Sequence, residues 1–175
     1  MKNIKVIAIM LVLFASTTAF VGFRNTTTPV AKEAKELKWY TSFEEASKLS
    51  NETKKPIFAF FTGSDWCGWC TRLQANVFAK QEFIDWAEKN VILLELDFPR
   101  RTQLAPELQQ QNNELASLFQ VRGYPTVWLF TTGFNATTQK VEINPLGSTG
   151  YPSGAEAGKE EVKFISDANA ILNNK

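Results

Sequence analysis

Hydrophobic positions along the chain fall into two kinds of pattern. Three short, largely apolar blocks stand out: Pro56 to Phe61, Val91 to Leu96 and Thr126 to Phe130. The first is short and aromatic-rich and reads as a strand covered on both faces; the second reads as another buried strand and the third as another apolar strand. Between them apolar residues recur every three or four positions. Ser42-Phe43-Glu44-Glu45 fits a capping box, with Phe43, Ala46 and Leu49 on one face of the helix it opens. A second helix starts near Cys67, with Leu73 and Val77 inward, and a third covers Gln81 to Lys89, with Phe83, Ile84 and Ala87 inward. Pro99 to Ala105 reads as a loop. Pro106 suits the first turn of a fourth helix, whose buried stripe is expected at Leu108, Leu115, Leu118 and Phe119.

Gly133 and Asn135 mark Thr131 to Thr138 as a turn, and Gln139 to Ile143 alternates as an edge strand does. Glu160 to Leu172 closes the chain as a helix carrying Phe164, Ile165, Ala168, Ile171 and Leu172 on its inner face. The order α–β–α–α–β–α–β–β–α predicts an α/β fold: a mixed sheet with helices on both faces.

The first residues follow a different logic. Met1 to Lys5 is a short basic segment, Val6 to Ala15 is apolar, and Ser16 to Ala19 supplies small residues. This is the pattern of a signal peptide, cleavable after Ala19. The alternative is an uncleaved anchor, since Val6 to Phe23 is uncharged for 18 residues. No cysteine lies near the cleavage point, which argues against a lipoprotein. Residues 1–19 are therefore expected to direct export, 20–36 to form a linker (with a helical option over 31–38), and 37–175 to form one domain. An extracytoplasmic location, most simply the periplasm, permits lasting disulfides.

Composition then narrows the chemistry. The 175 residues contain no histidine and only two cysteines. That removes histidine-assisted nucleophiles, histidine-ligated metals and a four-cysteine zinc site within one chain. Thr71 follows Cys70, so covalent c-type haem is out. No metal and no cofactor are expected. Loss of Lys2 and Lys5 with a signal segment would take the net charge from +1 to −1. No basic run stands out beyond Arg100-Arg101, which reads as a solvated loop pair. Nucleic acid is a poor partner, and membrane contact is expected only through an uncleaved signal.

The two cysteines stand as Cys67-Gly68-Trp69-Cys70, opening a helix directly after a buried strand. Free N–H groups and the dipole at a helix start favour an anion. A thiolate at Cys67 would titrate below the free value of about 8.5. Cys67 would attack a substrate disulfide and Cys70, one turn on, would release the product. Gly68 leaves room for an extended substrate chain, and Trp69 covers the pair with apolar surface. A structural disulfide, or two inert thiols, is the competing reading of a bare CxxC.

Phe58 to Cys70 (FAFFTGSDWCGWC) resembles the active-site segment of thioredoxin-like proteins, and Val121 to Thr126 (VRGYPT) resembles their second motif. Asp65 to Cys70 and Leu96 to Arg100 are similar to a group of exported bacterial members. The resemblance implies a three-layer thioredoxin-like fold with a central mixed sheet of about four to five strands. It also implies a cis Pro125 facing the cysteines, with the Tyr124 backbone turned toward substrate for strand-like hydrogen bonding. Trp66, before the nucleophile, either borders the substrate groove or packs in its loop.

Departures from the family pattern are equally specific. Phe58-Ala59-Phe60-Phe61 lacks the buried carboxylate that serves thioredoxins as proton acceptor, and Leu93 or Leu94 stands where their paired lysine does. Glu95 reads either as a substitute base or as a surface residue. Asp65 is expected to shape the turn or cap the helix. Trp69 occupies the place of the histidine in disulfide isomerases, which makes the pair lean toward a reductant. The expected function is an exported thiol–disulfide oxidoreductase that reduces protein disulfides and is recycled by an upstream redox partner. The alternatives are an oxidase or isomerase, and a non-catalytic thioredoxin-fold binding module.

Overall fold

A computed structural model describes residues 37–174. The export signal expected at 1–19 and the linker expected at 20–36 lie outside the described residues. The chain first forms a two-residue strand, β1 (Trp39–Tyr40), pairing Trp39 with Leu93 and Tyr40 with Leu94. Two residues carry no periodicity, so this strand leaves no mark in the hydrophobic pattern. Helix α1 (Phe43–Thr53) follows, and Ser42 caps it by accepting from the Glu45 N–H, as the capping box predicts.

The three apolar blocks are the central strands β2 (Ile57–Thr62), β3 (Ile92–Asp97) and β4 (Thr126–Asn135). With β1 and β5 (Lys140–Thr149) they make a five-stranded mixed sheet in the order β1-β3-β2-β4-β5. β1 and β2 run parallel to β3; β4 runs antiparallel to both β2 and β5. Every residue of β2 is buried, which is why its sequence is apolar without alternation.

Successive side chains of β2 serve opposite faces. Phe58 and Phe60 join Leu93, Val127 and Leu129 on one face. There they meet α2 (Gly68–Leu73), α3 (Gln81–Asn90) and α5 (Glu160–Asn173) through Leu73, Phe83, Trp86 and Phe164. Ile57, Ala59 and Phe61 join Leu94, Leu96 and Phe130 on the other face, covered by α1 and α4 (Pro106–Leu118) through Ala46 and Leu115. α2 runs on into a π-helical segment, Gln74–Phe78, where the Ala79 N–H donates to the Gln74 carbonyl at 2.9 Å. The wider winding lets the consecutive residues Val77 and Phe78 both be buried.

Two expectations need correction. Leu118 is 57% exposed, whereas Leu115 and Phe119 are buried. At 3.6 residues per turn Leu118 falls roughly a quarter-turn off the line through 108, 112, 115 and 119. Asn112 takes the buried place, donating from Nδ2 to the Asp97 carbonyl at 2.9 Å. The expected turn over Thr131 to Thr138 is also too long. β4 continues to Asn135, and Gly133 pairs with Glu142 instead of turning. The hairpin reverses only at 136–139, where the Asn135 side chain accepts from the N–H groups of Thr137 and Thr138. The outer half of the hairpin is thinly covered, and Phe134 at its tip is 60% exposed.

Candidate active site

β2 ends at Thr62, and a short loop carries the chain to Cys67. Gly63 is required in that loop, because a Cβ there would lie 2.4 Å from the Trp66 ring. The N–H of Cys67 donates to the Gly63 carbonyl at 2.8 Å. Cys67 is itself the N-cap of α2, and its Sγ accepts from the Cys70 N–H at 3.1 Å. The sulfur thus occupies the place where a helix start leaves N–H groups without partners. Cys67 and Cys70 are joined as a disulfide with their Cα atoms 5.3 Å apart.

Both cysteines lie deeper than a surface thiolate would, but unequally. Cys67 is 7% exposed and Cys70 2%, while Gly68 and Trp69 between them are exposed. Of the two, Cys67 is the less buried.

The second motif lies beside this loop. The Tyr124–Pro125 peptide bond is cis. The Tyr124 ring meets Trp66 edge to face at 5.5 Å and Phe98 at 5.3 Å. Burial pushes the Tyr124 phenol above its ordinary range, so it stays neutral. Trp66 donates from Nε1 to the Phe98 carbonyl at 2.8 Å, and the Arg100 guanidinium lies 3.7 Å from its ring centroid. These contacts set Trp66 between the cysteine loop and the Tyr124 segment. Arg100 is accordingly not a purely solvated residue.

Asp65 neither caps α2 nor merely shapes its own turn. It reaches across to the loop after β3 and accepts from the N–H groups of Arg100, Arg101 and Thr102, the closest at 2.6 Å. Ser64 makes the reciprocal link, donating from its N–H and hydroxyl to Asp97. The Arg100 N–H foremost, with those of Arg101 and Thr102, holds the Asp65 carboxyl below its ordinary value of 3.8. A depressed pKa means that this tether is complete above about pH 3.9 and is lost as pH falls toward the folded-state value. Asp65→Ala is expected to speed amide exchange at Arg100 and Arg101 while the amides of β2 keep their protection. Residue-resolved hydrogen exchange reads both. Equal protection in the variant would show that the loop stands without the tether.

Glu95 is half-buried rather than a surface residue, in register with Phe60 and on the same sheet face as Leu93. No hydrogen bond joins it to either cysteine among the described residues. Desolvation first, and the charge of Asp97 second, raise its pKa. For a carboxyl with a raised folded-state pKa the sign is opposite to that of Asp65. The folded state is penalised above the folded-state value and relieved as pH falls toward the unfolded-state value of about 4.3. Glu95→Gln is expected to raise the urea midpoint at pH 7 and to narrow its difference from the wild type near pH 4.5. A lower midpoint at pH 7 would contradict this assignment.

The sequence motifs bring Cys67, Cys70, Trp66, Gly68, Trp69, Tyr124 and Pro125 to one end of the sheet. Sequence reasoning missed Tyr151, whose ring meets Trp69 at 5.0 Å and whose hydroxyl accepts from Asn76 at 2.9 Å. It also missed the tie between Gly150 and Pro125: a Cβ on Gly150 would lie 3.2 Å from the Pro125 carbonyl oxygen. These partners are separated by 25 residues or more along the chain, and no local spacing signals them.

A sulfur pair that opens a helix on such a sheet can cycle between disulfide and dithiol, and the class it defines is the thiol–disulfide oxidoreductases of thioredoxin fold. Comparisons with known proteins agree. The family model of the thioredoxin-like domain matches residues 43–139, and the chain belongs to that family. It is 35% identical over 127 residues to the disulfide bond reductase DsbH of Chlamydia pneumoniae, covering 73% of this chain and 74% of that protein. It is 25% identical over 172 residues to the thioredoxin-related protein DsbJ of the same organism, covering 98% of this chain but only 45% of DsbJ. Among solved structures, a DsbH oxidoreductase superposes with a TM-score of 0.66 at 30% identity, over 87% of this chain and 94% of that one. A thioredoxin from Thermus thermophilus superposes with a TM-score of 0.53 at 16% identity, over 79% and 89%, which speaks for the fold alone.

Proposed function

We propose that this oxidoreductase works outside the cytoplasm as a reductant of protein disulfides, with Cys67 as nucleophile and Cys70 as resolving thiol. The hydrogen bond from the Cys70 N–H to the Cys67 sulfur carries the assignment. The same N–H would favour a thiolate at Cys67 in the reduced protein. The greater exposure of Cys67 gives it the first encounter.

In the forward direction the Cys67 thiolate attacks one sulfur of a substrate disulfide. A mixed disulfide forms and the other substrate sulfur leaves as a thiolate. Cys70, deprotonated, then attacks Cys67, closing the Cys67–Cys70 bridge and releasing the second substrate thiol. Two electrons pass to the substrate, and a separate redox partner must return them. In this reading Gly68 and Trp69 flank the nucleophile, Trp66 shores up the loop, and the backbone of the cis Tyr124–Pro125 segment pairs with an extended substrate segment.

The reductive direction rests on the absence of a cation within the Gly68-Trp69 dipeptide and on the likeness to a protein named as a disulfide bond reductase. Export rests on the signal-like pattern of residues 1–19. The reduction potential of the Cys67/Cys70 pair tests the direction. A value near about −270 mV supports a reductant, and one near about −120 mV would make the protein an oxidant.

A further inference from the structure

Thr62 ends β2, where the loop to the cysteines begins. It is fully buried, and its hydroxyl has no hydrogen-bond partner among the described residues. Strand alternation places it with Phe58 and Phe60, on the face against which Cys67 and Cys70 pack. The backbone is pinned on both sides of this point. The Thr62 carbonyl accepts from the Phe98 N–H at 2.9 Å, and the carbonyl of the next residue, Gly63, accepts from the Cys67 N–H at 2.8 Å. An interior hydroxyl left unpaired costs free energy, so its presence calls for a partner that arrives in another state of the protein.

Opening the bridge supplies one. Cys70 is 2% exposed, and among the described residues no hydrogen bond reaches its sulfur, since the Cys70 N–H serves Cys67. A thiolate formed there needs a donor, and an ionised carboxyl on this side of the sheet only accepts. Asp97, in register with Thr62, already holds Ser64; Glu95 precedes it on the same face of β3, and Glu161 lies on α5, which covers that face. The Arg72 and Arg100 guanidinium groups sit over the rings of Trp69 and Trp66, on which the Tyr151 and Tyr124 rings also pack.

We propose that the Thr62 hydroxyl donates a hydrogen bond to the Cys70 thiolate as the mixed disulfide is resolved. The proposal rests on the reading of Cys70 as the resolving thiol, and it names the group that holds this thiolate in a chain whose β2 lacks a carboxylate. Cys70 loses its proton to solvent and attacks the Cys67 sulfur. The Cys67–Cys70 bond forms as the bond from Cys67 to substrate breaks, and the substrate sulfur leaves with the electron pair. The Thr62 O–H stays intact throughout.

The test mixes the reduced protein with a small excess of 2,2′-dipyridyl disulfide and follows release of 2-thiopyridone. One molecule leaves as Cys67 attacks the probe, a second as Cys70 attacks Cys67. In Thr62→Val the second phase is expected to slow about three- to fivefold. A hydrogen bond to a charged sulfur raises the thiolate fraction about tenfold, and the lower basicity of that thiolate gives back roughly threefold. The first phase should be unchanged, and Thr62→Ser, which keeps the hydroxyl, should keep the parent's second phase. Oxidised Thr62→Val should match or exceed the parent's urea midpoint, because the closed bridge leaves the hydroxyl unpaired.

A second phase unchanged in Thr62→Val would overturn the proposal. So would equal slowing in Thr62→Ser, or a lower midpoint for the oxidised valine variant. Absence of the first phase in the parent protein would instead overturn the assignment of Cys67 and Cys70 beneath it.

Discussion

Serine at position 67 is expected to remove thiol–disulfide turnover by at least about three orders of magnitude, a usual cost of deleting a nucleophile. The hydroxyl can still cap α2 through the Cys70 N–H, so the fold should persist while the chemistry stops. Cys70→Ser has a different expected outcome. Cys67 still attacks, but nothing resolves the mixed disulfide, and the covalent complex with substrate accumulates. Non-reducing electrophoresis with mass spectrometry distinguishes the two variants. Rapid alkylation of one thiol in the reduced parent protein, lost in Cys67→Ser but retained in Cys70→Ser, supports the order of attack. Trapping by Cys67→Ser instead would reverse the two roles.

Phe58→Ala carries the largest expected loss of stability, about 3–5 kcal/mol. Phe58 is fully buried in β2 and meets the rings of Trp39, Phe78, Phe83, Trp86 and Phe164 at centroid distances of 5.7–6.3 Å. Those rings come from β1, the π-helical segment, α3 and α5, so the cavity opens where separate elements converge. Close packing of rings from different elements leaves little scope for collapse around the vacancy. Chemical denaturation of the oxidised protein measures the effect. A loss under about 1 kcal/mol would mean that the aromatic cluster repacks. The same substitution should lower thermal stability without changing the Cys67/Cys70 potential of the folded fraction.

Much of this architecture was legible because burial leaves a strong trace. The Ile57–Thr62 strand has two covered faces and reads as an apolar run, and Ser42 with Glu45 marks the start of α1. The sulfur pair was legible because its chemistry depends on local spacing. Where several distant partners decide an outcome, the trace fades. Trp39–Tyr40 becomes a strand only through pairing with β3, and Gly133 stays extended because β5 pairs with it. Leu118 is exposed although apolar, because Asn112 lies on the buried line and has a carbonyl to bind. Asp65 binds amides 35 to 37 residues away, and Trp69 meets a tyrosine 82 residues on. Neither partnership has a local pattern from which it could be read.

The terminal hairpin has a consequence for behaviour at high concentration. β5 is the rim of the sheet, and ten residues of open backbone there would ordinarily invite a second molecule to dock strand against strand. Pro145 lies in the middle of that rim, opposite Phe130 and beside the break in register at Leu129/Phe130. It offers no N–H to an incoming strand, and the irregularity bends the ribbon away from a flat template. Lys140 and Glu142 add charge toward the tip. The molecule thereby blunts its own tendency to polymerise through its exposed border.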